Sequence, residues 1–418
     1  MALKAVRRVT DEGAYSNLVI PALLSRSGLP PRDRDLAAEL AYGTLRRLLR
    51  IDHALAPLLD RPLSQASPAA RAALRLDAHQ LLFMRIPDHA AVSETVALLP
   101  ARERGFANAV LRRLAREGAP EPSGEGAGSI SLRTGLVRWA VEELQRLVGE
   151  EAEAAAAALA DHGPLTLRTN PCRTTVERLE AALRAAGLDP EPGRLHPGSL
   201  RLRGGAPTEL PGFAEGWFAV QDEASTYVVD VLAPQPGERI LDAAAAPGGK
   251  ASDVACRAGA VVAADVSERR TRLVEGAAGR LGVRVLPVVQ DAARPALREG
   301  AFDRVLLDAP CSGIGAARRR PELLWRPTAA DARKLGRLQR SLLGGLVPLV
   351  RPGGLLVYSV CTFPRVETDE VCDDLLTRFP DLRPDPFRGP DGGEVVRARL
   401  WPHRHGTDAM FVARFRRA

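Results

Sequence analysis

No stretch of the 418-residue chain approaches eighteen consecutive uncharged apolar residues, so no membrane-spanning helix is expected. No apolar segment follows Lys4, Arg7 and Arg8, which argues against a secretory leader. Cysteine is scarce. Cys172, Cys256, Cys311, Cys361 and Cys372 show neither C-x-x-C spacing nor the density of a disulfide scaffold. A reduced, cytoplasmic protein without a metal site is therefore expected. Lysine is scarcer still: Lys4, Lys250 and Lys334 are the only lysines among 58 bases, and the rest are arginines. Codon bias accounts for most of that skew, but each lysine becomes a rare choice.

What the chain does contain is enough apolar material, 45% of residues, to bury an ordinary core, and length enough for two or three domains. The 58 basic and 51 acidic residues leave a net charge of +7, which permits a nucleic-acid partner without requiring one. Much of the excess lies early, where residues 1–122 hold 18 Lys/Arg against 13 Asp/Glu.

Residues 1–116 read as helical. Leu36, Leu40, Ala41, Leu45, Leu48 and Leu49 recur at three- and four-residue steps, as on a helix with one buried face. The 117–129 stretch has no large apolar residue and reads as a linker, so a chain cut near Ser131 is expected still to fold its sheet. Helical patterns resume at 136–148 and 152–160. A small α+β module is expected from Leu165 to Gly216. Beyond Gln221, the short apolar runs 239–243, 261–265, 284–289, 304–308 and 355–360 alternate with helical segments, as parallel strands covered on both faces do.

A doubly wound sheet holds its ligands at the carboxyl ends of its strands. Four of these runs lead to an aspartate: Asp242, Asp265, Asp291 and Asp308. One such residue is usually a turn cap. Four on one edge suit a nucleoside cofactor with hydroxyl donors and cationic groups but no phosphate, and S-adenosyl-L-methionine has that chemistry. Between the first two lies A-A-A-A-P-G-G-K (243–250), whose Gly248 and Gly249 let backbone pass close to a ligand at a helix N-terminus. Its spacing fits neither a dinucleotide fingerprint nor a phosphate loop.

Two cysteines fall at strand ends beside that edge, Cys311 in D-A-P-C-S-G and Cys361 in V-Y-S-V-C-T. A lone strand cysteine is more often inert packing, whereas two at one edge point to nucleophilic chemistry. Carbon 5 of cytosine is too weak a nucleophile to take a sulfonium methyl until a thiolate adds to carbon 6. A carboxyl group at ring nitrogen 3 would stabilise the charge that develops. Either thiolate could in principle make that attack.

The segments R-D-L-A-A-E-L-A-Y-G-T-L-R-R (34–47), 81–96 and A-N-A-V-L-R-R (107–113), with Q-D-E-A-S (221–225), A-A-P-G-G-K (245–250), L-L-D-A-P-C-S-G (306–313), R-R-R-P-E-L-L-W (318–325) and V-Y-S-V-C-T (357–362), resemble the RsmB (Sun) family of bacterial ribosomal RNA cytosine-5 methyltransferases. The resemblance spans nearly the whole chain. It implies an all-α NusB-like RNA-binding domain at 1–128, a helical connector at 129–163, a small α+β RNA-recognition-like subdomain at 164–220 and an α/β Rossmann-like methyltransferase domain at 221–418. It implies that Ala244, Ala245, Ala246, Pro247, Gly248, Gly249, Lys250, Asp265, Asp291 and Asp308 bind S-adenosyl-L-methionine. Cys361 would attack the base, Cys311 would assist release, and Asp308 and Lys250 would face the reacting ring. The expected substrate is 16S ribosomal RNA, with no membrane partner and a monomeric enzyme. A tRNA substrate and a non-catalytic RNA-binding factor are the alternatives. Three positions depart from the family pattern: Ala244 stands for cysteine, Thr362 for serine, and Thr368 for the asparagine after Glu367.

Overall fold

The computed structural model describes residues 1–84, 86 and 94–418. Part of the 81–96 motif, namely residue 85 and residues 87–93, lies outside the described residues. The chain divides into two compact units, Met1–Asp161 with Ala317–Thr328, and His162–Ala316 with Ala329–Ala418.

The first unit is helical. Helices Ala2–Thr10, Ser16–Ser25, Pro31–Arg46, Leu48–Leu55, Pro68–Phe83 and Ala101–Glu117 bury two apolar clusters, one around Val6, Ile20, Leu45 and Leu76 and one around Ile51, Leu55, Leu74 and Leu111. Of the stripe read from sequence, Ala41, Leu45 and Leu48 are buried, Leu40 and Leu49 are partly buried, and Leu36 is exposed. Local chemistry sets the helix starts: Pro68 occupies a first-turn position, and the Ser67 hydroxyl accepts from the Ala70 N–H at 3.1 Å.

The expected linker is shorter than the sequence suggests, because helix Ala127–Thr134 begins inside it. Arg133 explains the order of the remainder. Its guanidinium donates to the carbonyls of Pro122 (3.1 Å) and Gly124 (2.8 Å) and grips Glu153 through two bonds of 2.6 and 2.8 Å. A residue outside the polar stretch therefore supplies the partners that the stretch lacks.

The R-R-R-P-E-L-L-W motif belongs to the helical unit, although the sequence on both sides of it belongs to the sheet unit. Glu322 is fully buried and accepts from the Ser16 N–H (3.4 Å) and hydroxyl (2.5 Å). The Trp325 indole donates to the Leu45 carbonyl at 2.9 Å, and the Val137 N–H donates to the Leu324 carbonyl at 2.7 Å. Arg326 donates to the carbonyls of Val9, Gly13 and Ala14. A chain cut near Ser131 would lose the partners of Glu322, Trp325 and Arg326 within the helical unit, whereas the large sheet belongs to the other unit.

In the second unit, strands β1 (Leu165–Thr169), β2 (Glu191–Pro192), β3 (Ser199–Leu202) and β4 (Phe218–Val220) form an antiparallel sheet in the order β2-β3-β1-β4, packed with helix Val176–Ala185 over Leu167, Leu179 and Phe218. Its aromatics serve the core and its cover: Phe218 is buried, Arg280 lies over Phe213 at 4.2 Å, and Arg178 lies over Trp217 at 4.5 Å. The large sheet comprises β5 (Ile240–Asp242), β6 (Val261–Asp265), β7 (Val285–Val289), β8 (Phe302–Asp308), β9 (Val350–Val360), β10 (Leu382–Pro384), β13 (Arg397–Leu400) and β14 (Met410–Arg417), with the small pair β11 (Phe387–Arg388) and β12 (Glu394–Val395) apart from it. Strands β7-β6-β5-β8-β9 run parallel, and β14 then adds antiparallel to β9. Sequence reading located the five parallel strands but not β14, whose residues Met410–Ala413 are all buried.

The expectation of wholly reduced cysteines is corrected. Cys172 and Cys256 form a disulfide, with their Cα atoms 6.0 Å apart. They are 84 residues apart in sequence, so only the docking of the small module on helix Gly249–Ala258 brings them together. The buried Arg168 of β1 reaches Asp253 of the same helix at 3.5 Å. The Asn170 amide donates to the carbonyls of Gly216 and Leu281, both at 2.8 Å.

Replacing Glu322 with alanine should destabilise the helical unit by about 2–3 kcal/mol, the scale of hydrogen bonds to a charged group. Denaturant titration followed by Trp325 fluorescence should show an earlier transition. An unchanged midpoint would mean that this buried carboxylate holds nothing in place.

Candidate active site

Strand order reverses direction on either side of β5, which places a crevice at the carboxyl ends of β5 and β8. Strand pairing aligns Asp242 with Ala263 and Leu306, Asp265 with Val289, and Asp308 with Ser359, so three carboxylates share one edge. Asp291 differs: it is exposed, lies two residues past the end of β7, and accepts from the Ala293 N–H at 2.9 Å.

The Ala243–Lys250 turn leads into helix Gly249–Ala258. Gly248 has φ of 108°, and a Cβ there would lie 3.0 Å from Val274 Cα, so both conformation and space require glycine. A Cβ on Gly249 would come within 3.1 Å of the Gln221 amide oxygen. Ala244, Ala245, Ala246 and Pro247 bring only small side chains to the loop wall. Asp265 is buried at the next strand end. One carboxylate oxygen accepts from the Ser267 N–H at 3.1 Å and the other lies 3.3 Å from Arg270. A bare backbone cradle beside a carboxylate fits a nucleoside cofactor with hydroxyl donors.

Lys250 turns its ammonium to Asp308 at 2.6 Å and to the Ser225 hydroxyl at 3.4 Å. Burial would lower the Lys250 pKa, but the charge and hydrogen bond of Asp308 outweigh it, and the net shift is upward. The other Asp308 oxygen accepts from the Ser359 hydroxyl at 2.9 Å. Asp242 has no such cation within bonding distance. Burial and the nearby charge of Asp308 push its pKa up to about 7, with Lys250 opposing them.

The two strand-end cysteines meet. Cys311 Sγ and Cys361 Sγ are 3.4 Å apart. The hydrogen bond to Cys361, then burial, then the neighbouring charges of Cys361, Glu367 and Asp308 raise the Cys311 thiol well above its ordinary pKa. Cys372 lies elsewhere, fully buried on helix Asp369–Arg378, where burial pushes its thiol up to about 12. No group of three or more potential metal ligands occurs among the described residues.

Comparison with known proteins agrees with this layout. Residues 229–416 match the family of 16S rRNA methyltransferases RsmB/F, residues 1–116 match the NusB family, and residues 137–209 match the ferredoxin-like domain of RsmF/B-like methyltransferases. The ribosomal RNA small subunit methyltransferase B of Vibrio cholerae is 36% identical over 424 residues, covering 99% of this chain and 95% of its own. That of Citrobacter koseri is 34% identical, covering 91% and 90%. The crystal structure of PH0851 superposes with a TM-score of 0.86 at 26% identity, over 100% of this chain and 97% of that one. The chain belongs to the ribosomal RNA small subunit methyltransferase B family.

In this RsmB-family methyltransferase, the residues singled out from sequence divide into two groups. Lys250, Asp308, Cys311 and Cys361 converge on one spot, while Asp265 and the Ala244–Gly249 turn form the adjoining cradle. Sequence reading assigned no role to Ser225, Ser312, Gln339 or Ser359, which hold the reactive groups in place. Three of these are serines inside quoted motifs, so the signal was present but looked like ordinary loop polarity.

The Asp242 environment has a measurable consequence. Its carboxyl binds a proton more tightly when folded (about 7) than at its usual 3.8, so its contribution to stability falls as pH rises between those values. Replacing Asp242 with asparagine should flatten the pH dependence of thermal stability across that window. A wild-type slope retained by the variant would place the titrating group elsewhere.

Proposed function

We propose that this methyltransferase transfers the methyl group of S-adenosylmethionine to carbon 5 of a cytosine in 16S ribosomal RNA, with Cys361 bonded covalently to carbon 6 during the reaction. The observation that carries this reading is the 3.4 Å pairing of Cys311 with Cys361 beside the Lys250–Asp308 ion pair. An enzyme that methylates an exocyclic amine has no use for two thiols at that place.

When bound, S-adenosylmethionine supplies an electrophilic methyl on a sulfonium. Asp265 would hold the ribose hydroxyls of this cofactor, the backbone of the Ala244–Gly249 turn would lie against it, and Asp291 would complete the nucleoside end. Cys361 would add to carbon 6 as the thiolate, the role that its V-Y-S-V-C-T motif carries in the family, with Cys311 held 3.4 Å away. The negative charge that then develops at ring nitrogen 3 would be neutralised by a proton passed from the Lys250 ammonium through Asp308, which Lys250 and Ser359 hold in place. After methyl transfer, Cys311 as a thiolate would take the carbon 5 proton, that C–H electron pair would form the carbon 5–carbon 6 double bond, and Cys361 would leave as the thiolate.

The basic excess of residues 1–122 supports RNA docking by the helical domain at 1–128, with the module at 164–220 as a second contact and residues 129–163 as connector. A monomer acting in the cytoplasm completes the reading. No helix among the described residues is long and apolar enough to cross a membrane.

Three measurements test the reading. Asp265→Ala should weaken S-adenosylmethionine binding in calorimetry by about 1.5–3 kcal/mol, with RNA affinity nearly unchanged. An unaltered cofactor affinity would move the ribose contact to another residue. Cys311→Ala incubated with ribosomal RNA and cofactor should accumulate a denaturant-resistant protein–RNA complex, whereas Cys361→Ala should form none. The reverse pattern would exchange the two roles. Bisulfite mapping of RNA from cells with and without the gene would locate the cytosine, and a site in tRNA would replace the ribosomal assignment.

A further inference from the structure

The residues that follow the two cysteines are themselves joined. The Ser312 hydroxyl lies 2.7 Å from the Thr362 hydroxyl and donates to Glu367 at 2.6 Å. A serine hydroxyl carries a single proton, so with that proton on Glu367 the Thr362 hydroxyl is the donor to Ser312. The second Glu367 oxygen accepts from the Ser312 N–H at 2.8 Å and from the Gln339 amide at 3.2 Å. Gln339 also donates to the Pro310 carbonyl at 2.9 Å. Glu367, Thr362 and Gln339 have no solvent exposure, and the Tyr358 hydroxyl fixes the Glu367 backbone through its carbonyl at 2.6 Å. Burial raises the Glu367 pKa, and the Ser312 bonds oppose that shift.

We infer that Ser312, Thr362 and Glu367 form a positioning clamp that sets the distance between the two thiols. The clamp joins residue 312 to residue 362, each one step from its cysteine, so the cysteine-bearing loops cannot separate without breaking a buried network. Backbone contacts close the other side. The Gly315 N–H donates to the Cys361 carbonyl at 3.1 Å, and a Cβ on Gly315 would lie 2.8 Å from that oxygen. Thr362 in place of serine is thereby explained, because the clamp uses only the hydroxyl. None of the three residues need touch cytosine. Their effect on the reaction passes through Cys311 and Cys361, and the inference rests on the covalent reading proposed above.

The test compares Thr362→Val, which keeps the shape and removes the hydroxyl, with Thr362→Ser, which keeps the hydroxyl. Thr362→Val should lower kcat by about tenfold or more through misplacement of the reacting groups. Its KM for RNA and its S-adenosylmethionine affinity should stay at wild-type values, which also establishes that the variant is folded. Thr362→Ser should restore kcat. Ser312→Ala should behave as Thr362→Val does, and both should retain more denaturant-resistant RNA adduct than wild type, because Cys311 no longer sits where release needs it. Wild-type kcat in both Thr362→Val and Ser312→Ala would overturn the clamp, as would a loss that Thr362→Ser shares. Failure of the covalent reading has a separate signature, the absence of adduct from Cys311→Ala alongside an active wild type. The kcat comparison between Thr362→Val and Thr362→Ser decides the clamp in either case.

Discussion

The Lys250–Asp308 contact ties together the two halves of the site. Lys250 stands on the first turn of the helix that follows β5, and Asp308 ends β8, so their 2.6 Å bond spans the point where strand order reverses. One side of that bond is the cradle of Gly248, Gly249 and Asp265, and the other leads through Pro310 to Cys311. Two partly buried charges of this kind add little net stability, because desolvation cancels much of their attraction. What the pair supplies is position: a carboxylate with one oxygen on Lys250 and the other on Ser359 has little freedom left to turn.

The loop beyond Cys311 is held at both ends by buried carboxylates with different partners. Glu367 takes the Ser312 N–H and hydroxyl within the sheet unit, and Glu322 takes the Ser16 N–H and hydroxyl within the helical unit. Each carboxylate thus satisfies a backbone and a side-chain donor of one serine. Because residues 317–328 fold with the helical unit, the chain that carries Cys311 is continuous with that unit's core.

The parallel strands β5, β6, β8 and β9 were legible because continuous apolar runs ending in aspartate or cysteine have few other readings. Strand-end placement put Asp308, Cys311 and Cys361 at one edge, whereas Lys250, on the first turn of a helix, was implied there by the family resemblance. Other features lack a local signal. The Cys172–Cys256 bond depends on how a separate module docks, and no spacing rule covers 84 residues. Strand β14 pairs antiparallel across a sheet whose earlier strands are all parallel, a choice set by β9 rather than by its own residues. Asp291 lies two residues past β7 rather than on it, and its side chain accepts from the turn that follows.

Lysine scarcity takes on a physical meaning at position 250. A chain that uses arginine for 55 of its 58 bases keeps lysine where a cation must reach one carboxylate oxygen from within a narrow slot. An arginine fork presents parallel donors that best match both oxygens of a carboxylate, and at Asp308 the second oxygen is already bonded to Ser359. A planar guanidinium matched to both Asp308 oxygens would have to displace Ser359, whereas an ammonium on a flexible stem serves Asp308 and Ser225 together. Arg257, about two turns further along the same helix and bonded to both Asp253 and Asp230, shows the complementary case, in which a fork joins two separate carboxylates. The choice between the two bases along this helix follows from how many acceptor oxygens each position offers.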